Sequence, residues 1–164
     1  MLNLFRSTVY IRIKPEQLSV LHVESGKEMT DSPALAIETK GGKSSIYAVG
    51  NQALTLFGQP NITVANGFKH PRTIIADFTV AETTLKYFLR CVLPWKLFSP
   101  SPIIVMHPLS SLEGGLTQVE IRALAELGMG AGGRKVYVWD GPELSNNNLH
   151  ELSFTQGDGK LLYP

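Results

Sequence analysis

Few side chains in this sequence are of a type and spacing that do chemistry. His22, His70, His107 and His150 are scattered, with no two set four apart on a helical pattern. None has a cysteine or carboxylate at ligand spacing, so they read as surface or hydrogen-bonded core histidines and no metal is expected. Cys91 is the sole cysteine. It excludes an intrachain disulfide, fits a reducing compartment, and in the apolar run LKYFLRCVL reads as a small buried hydrophobe. Ser110-Ser111 is where a nucleophile would be sought, but no Gly-x-Ser-x-Gly elbow surrounds it. The glycine-rich run 128–133 follows a helical pattern and precedes a strand. A phosphate cradle needs the opposite order, so the run reads as a helix stop. Lys40 and Lys43 flank Gly41-Gly42 and read as a solvated turn.

Composition narrows the classes further. The formal charge of +1 supplies no basic footprint for nucleic acid. A hydrophobic share of 43% with 18% charged residues is that of an ordinary globular domain. No apolar run approaches the ~20 residues of a membrane span. The opening MLNLFRSTVY lacks the apolar core of a secretory signal, and a cytoplasmic location is expected. Leu2, Leu4 and Phe5 offer at most a marginal membrane anchor.

The elements that would position any site follow from periodicity. Residues 9–13 alternate and are β-rich, 18–23 form a second strand, and 14–17 turn between them. Two more strands, at 34–39 and 46–49, complete what reads as a single antiparallel meander, because the connections are too short for parallel crossovers. A short helix is expected at 52–57, then a loop from 61 to 73 that carries Gly67 and Pro71. Apolar residues at helical spacing mark a helix at 79–93, closed by Pro94. Ile103-Ile104-Val105-Met106 is a short apolar run of the kind found in strands buried on both faces. Thr117 with Glu120 makes a capping box for a helix reaching about residue 128. Lys135-Val136-Tyr137-Val138-Trp139 is a further strand, so 103–139 is a βαβ unit. The fold class is therefore α/β: a mixed sheet of about five strands, an antiparallel meander plus βαβ, with helices on its faces. Residues 1–141 form the domain, and 142–164 a polar tail in which Gly157 to Gly159 turn a small hairpin between 152–154 and 161–163.

Three stretches resemble the bacterial actin-like rod-shape-determining family, MreB. Residues 74–82 (IIADFTVAE) are similar to that family's approach to its long first helix. Ser99-Pro100-Ser101-Pro102 is similar to its entry into the next strand. Thr117-Gln118-Val119-Glu120, Arg122-Ala123 and the glycines before Arg134-Lys135-Val136-Tyr137 are similar to the helix and strand that follow. Order and spacing agree from Ser32 to Val138, apart from an insertion around 110–115, and Met1-Leu2 and Phe5-Arg6 look like the family's N-terminal end. The resemblance implies the first lobe of the actin-like, ribonuclease H-like ATPase fold.

The same resemblance implies a degenerate nucleotide site. The family's glycine-containing phosphate loop falls on 12–17. There Arg12 stands in place of an acid that helps set Mg²⁺. Lys14 replaces a glycine whose missing Cβ lets backbone approach phosphate, and Pro15 removes an amide donor. The acidic pair before a proline falls on Asp140-Gly141-Pro142, with one carboxylate surviving. The chain then stops where the family continues into its second lobe. Phosphoryl transfer depends on positioning, so no catalysis, cofactor or Mg²⁺ is expected. What remains is a non-catalytic interaction protein of the cell-shape or envelope machinery, whose partner is a full-length actin-like filament protein or a second copy in a homodimer. The alternative is a nucleotide or anion binder using Arg12 and Lys14 as direct ligands.

Overall fold

The computed structural model describes residues 6–95, 99–109 and 113–164. Leu2, Leu4, Phe5 and Ser110-Ser111 lie outside them. Its chain order is β1 (Thr8–Ile13), β2 (Leu18–His22), β3 (Lys27–Asp31), β4 (Ala34–Lys40), β5 (Lys43–Val49), α1 (Asn51–Leu54), β6 (Ile62–Asn66), α2 (Phe78–Val92), β7 (Ile103–Pro108), α3 (Gln118–Gly130), β8 (Lys135–Asp140), α4 (Asn146–Glu151) and β9 (Lys160–Tyr163). Six strands form one mixed sheet in the order β3-β2-β1-β7-β8-β9, and three form a second in the order β5-β4-β6. In the large sheet β1, β7 and β8 run parallel, while β2, β3 and β9 are antiparallel to their neighbours.

The α/β mixed-sheet expectation holds, and so does the βαβ unit. The single meander does not. β3, with the sequence KEMTD, is a polar edge strand that takes the third place beside β2. The strands expected third and fourth therefore move to the small sheet, where β4 pairs with β5 on one side and β6 on the other. Small side chains make that sheet possible: Ala34, Ala36, Ala48 and Ala53 pack into a core of their own, with Ile62 and Val64 against it. β6 lies in a stretch expected to be loop.

Alternation decides what each face of the large sheet carries. Val9, Ile11 and Ile13 of β1, Ile104 and Met106 of β7, and Val136 and Val138 of β8 point to one face. They meet Leu85, Phe88 and Leu89 of α2 and Leu124 and Leu127 of α3. Both helices start as their capping chemistry requires. Asp77 accepts from the Val80 amide at 3.0 Å, and Thr117 and Glu120 close a reciprocal capping box. Cys91 is half-buried and not a core residue. The glycine run ends α3 as expected, with Gly132 at φ +116°.

The other face carries Tyr10, Val105 and Trp139, and residues 144–154 pack over it. Leu144 and Leu149 are buried there, and Phe154 lies 4.8 Å from the Tyr137 ring centroid and 5.9 Å from that of Trp139. The expected hairpin is absent: 161–163 pair with β8 instead of with 152–154. An isolated two-stranded hairpin is marginal, whereas the edge of β8 offers a ladder already ordered.

Candidate functional site

In open α/β sheets the carboxyl ends of parallel strands are where ligands bind. Here those ends present Arg12, His107 and Asp140. The alternation that sends Val9, Ile11 and Ile13 to the helices sends Tyr10 and Arg12 to the opposite face. The β1–β7 register sets Arg12 beside His107.

Arg12 forks between two carboxylates, one guanidinium nitrogen on Glu28 of β3 and the other on Glu143 after β8. Its guanidinium carbon lies 5.5 Å from the Tyr10 ring centroid, a cation–π contact. Its charge is thus already matched within the chain. Beneath it, the Tyr10 hydroxyl lies 2.5 Å from His107 Nδ1 and accepts from the Leu144 amide at 3.2 Å. His107 Nε2 lies 2.8 Å from the Gly141 carbonyl oxygen. A carbonyl only accepts, so Nε2 carries the proton, Nδ1 accepts, and the Tyr10 hydroxyl donates to it. Burial pushes the Tyr10 hydroxyl up to about 12, with the Glu143 charge adding to it and the Leu144 amide and Arg12 opposing. Burial likewise holds His107 below its usual value, although Gly141, Glu143 and Asp140 favour the charged ring. Tyr10 and His107 are a neutral buried pair.

The phosphate-loop positions form a closed hairpin turn. The Lys14 amide donates to the Gln17 carbonyl at 2.9 Å and the Gln17 amide donates back at 3.3 Å. Pro15 has no amide, and its carbonyl accepts from Asn66 Nδ2 at 2.7 Å, tying the turn to the small sheet. The Lys14 side chain is exposed. Asp140 ends β8, exposed and opposite Lys160. Arg12 and Asp140 thus share one end of the sheet, while Lys14 lies past the end of β1 and points its charge to solvent.

The remaining candidates do not join them. His22 is buried between Ser7 Oγ at 3.1 Å and Ser25 Oγ at 2.7 Å, with Glu24 at 3.3 Å. His70 and His150 are exposed, and Lys40 pairs with Glu38. Among the described residues no three His, Cys, Asp or Glu side chains gather as a metal site. Tyr10, Glu28 and Glu143 are the site residues that sequence reasoning missed, while His107 is the hydrogen-bonded core histidine that it allowed for. The parity of β1 was the available signal for Tyr10, since it shares a face with Arg12.

The MreB/Mbl protein profile matches residues 17–146. The cell shape-determining protein MreB of Pasteurella multocida strain Pm70 is 33% identical over 127 residues, covering 76% of this chain and 35% of the relative. Mbl of Bacillus subtilis strain 168 is 29% identical over 129 residues, 77% of this chain and 36% of the relative. The chain thus spans about a third of the length of these relatives, 35% and 36%. Among solved structures, MreB5 of Spiroplasma citri bound to AMPPNP superposes with a TM-score of 0.64 at 18% identity, over 81% of this chain and 38% of that one. The MamK double helical filament gives 0.63 at 12% identity, over 81% and 40%. Both share the actin-like ATPase fold.

Proposed function

The chain belongs to the MreB/Mbl family, and from that premise we propose that it is a non-catalytic, actin-like module of the cell-shape machinery, acting through protein contacts without turning over ATP. One observation carries the reading: Arg12, at the position where the family resemblance puts an acid for Mg²⁺, is engaged by Glu28 and Glu143 of its own chain. With its guanidinium already matched by internal carboxylates, Arg12 offers a phosphate no free cation, and its charge repels the metal. The closed Lys14–Gln17 turn supports the same reading, since both of its end amides are spent on each other's carbonyls. Isothermal titration with Mg²⁺-ATP and a phosphate-release assay test it, and neither signal is expected. Micromolar binding abolished by Arg12→Ala would favour the anion-binding alternative, and turnover lost in Asp140→Asn would make the protein an enzyme.

The partner we propose is another actin-like chain, a filament protein of the family or a second copy. Ile46, Tyr47, Leu54 and Phe57 support this, being apolar side chains exposed on the small sheet, on α1 and in the turn after it. Co-sedimentation with polymerised MreB tests the first partner, and sedimentation velocity across a concentration series tests the second. A constant monomer mass with no co-pelleting would remove both.

A further inference from the structure

We propose that Tyr10 and His107 form a proton-sensitive latch that holds residues 141–154 on the second face of the large sheet, and that protonation of His107 releases that segment. The inference goes beyond the functional reading above and holds whether or not a nucleotide binds.

The segment is fastened at successive points. His107 Nε2–H donates to the Gly141 carbonyl, the Leu144 amide donates to the Tyr10 hydroxyl, and Tyr10 donates to His107 Nδ1. Every donor and acceptor in this chain of three bonds is used once, and only a neutral imidazole with its proton on Nε2 completes it. Tyr10 and His107 are each 1% exposed, so no solvent stands ready to repair a mismatch. A second proton on Nδ1 faces the Tyr10 hydroxyl, which must then accept from it. The hydroxyl proton loses its only acceptor while a charge appears in a buried site. Turning Tyr10 away restores its solvation, but it takes the Leu144 anchor with it.

The charged groups around the latch do not change this logic. Arg12 of β1 stands over the Tyr10 ring and opposes a second cation. Glu28 of β3 and Glu143 bind that guanidinium, and Asp140 and Glu143, on either side of Gly141, draw the proton toward His107. His150 and Glu151 lie exposed on α4, and Arg6 reaches the Leu149 carbonyl at 3.5 Å. Burial outweighs the attraction, and the ring is held below its ordinary value of 6.5. The sign follows. A released segment takes up the proton more readily than a seated one, so the latch is at full strength above that ordinary value. It weakens as pH falls from there toward the lower value of the seated ring. Release uncovers Tyr10, Val105 and Trp139.

Hydrogen-exchange mass spectrometry, read as protection factors, tests the proposal on the intact chain. Between about pH 7.5 and about pH 5.5, protection over 141–154 is expected to fall about tenfold while α2 and α3 hold theirs. In His107→Gln, one amide donor and one acceptor replace the ring at every pH, and the fall is expected to shrink below about twofold. That variant also separates His107 from the other histidines of the chain. Tyr10→Phe is the companion should His107→Gln not fold. It removes the Leu144 anchor at every pH, so protection over 141–154 at about pH 7.5 is expected to fall toward the level the wild type shows at about pH 5.5. Three results would overturn the proposal: no fall in the wild type, an equal fall in the variant, or a fall spread evenly through α2 and α3.

Discussion

Arg12 and Glu143 stand 131 positions apart in sequence and meet as an ion pair at the carboxyl ends of the parallel strands. The pair joins β1 to the segment leading into α4, so one contact ties the first strand of the sheet to the cover over its second face. Glu28 takes the other arm of the same guanidinium. Both carboxylates depend on a single cation.

That dependence makes the two ends of the pair unequal. Arg12→Ala leaves two carboxylates facing one another and strips the cation from the Tyr10 ring, and is expected to cost about 1–2 kcal/mol. Glu143→Gln should cost less than about 1 kcal/mol, because the Glu143 side chain is 61% exposed and Glu28 still answers the arginine. Urea denaturation measures both, and the gap should narrow in about 0.5 M salt, where exposed charges are screened.

Glu120 gives the acid limb of the stability profile. Burial pushes its carboxyl up, but hydrogen bonds from the Thr117 amide and hydroxyl, Thr73 and the Ile74 amide outweigh that and hold it below 4.5. A carboxylate with a lowered folded value stabilises the protein above its unfolded value, and that contribution fades as pH falls through the folded one. Glu120→Gln is therefore expected to lower stability by about 1 kcal/mol near neutrality and to converge on wild type at low pH. Paired denaturation curves at the two pH values check it.

How much of this was legible in the sequence depended on how far each signal reached along the chain. α2, α3, β7 and β8 were readable because apolar period, capping residues and prolines all act within one element. β3 was not, since a solvent-facing edge strand such as KEMTD needs only one apolar side chain to pack. β6 is five residues long, too short for its alternation to stand out beside Asn61, Gly67 and Pro71. Without those two strands the division into two sheets could not be seen. At the site, Arg12 and Asp140 were visible through family resemblance. Their partners were not, because Tyr10 finds His107 only through a parallel register between residues 97 apart. The tail was misread for the same reason: its strand pairs with β8, and nothing local distinguishes that from a hairpin.

Gly67 is a position where one methyl group is decisive. A Cβ there would lie 2.4 Å from the Ala81 nitrogen and 2.7 Å from its Cα, both backbone atoms of α2. Backbone cannot swing aside as a side chain can, so Gly67→Ala must part the 66–68 segment from the helix. A loss of about 2–3 kcal/mol is expected by thermal or urea unfolding.

Phe154 tests the cover itself. It is half-buried against Tyr137 and Trp139. Phe154→Ala is expected to cost about 1–3 kcal/mol, below the range for a fully buried ring, and to raise exchange across 142–163 ahead of α2 and α3. Emission of Trp139, followed in a Trp95→Phe background because Trp95 is already 98% exposed, should shift to the red.

The parallel pairing of β1 with β7 also sets a timetable for synthesis. As the chain leaves the ribosome, β1, β2 and β3 can zip into a meander within a few dozen residues, but one side of β1 then has no neighbour. Its partner strand is not made until Ile103–Pro108 emerges. At about 5–20 residues per second, that leaves the backbone N–H and C=O groups along the open edge of β1 without strand partners for on the order of 5–20 seconds in every nascent molecule. Such an edge pairs readily with its like on a neighbouring nascent chain. The burden on chaperones, and the yield when the protein is overproduced, should therefore track how fast the ribosome crosses residues 14–102, a property of the codons as much as of the amino acids.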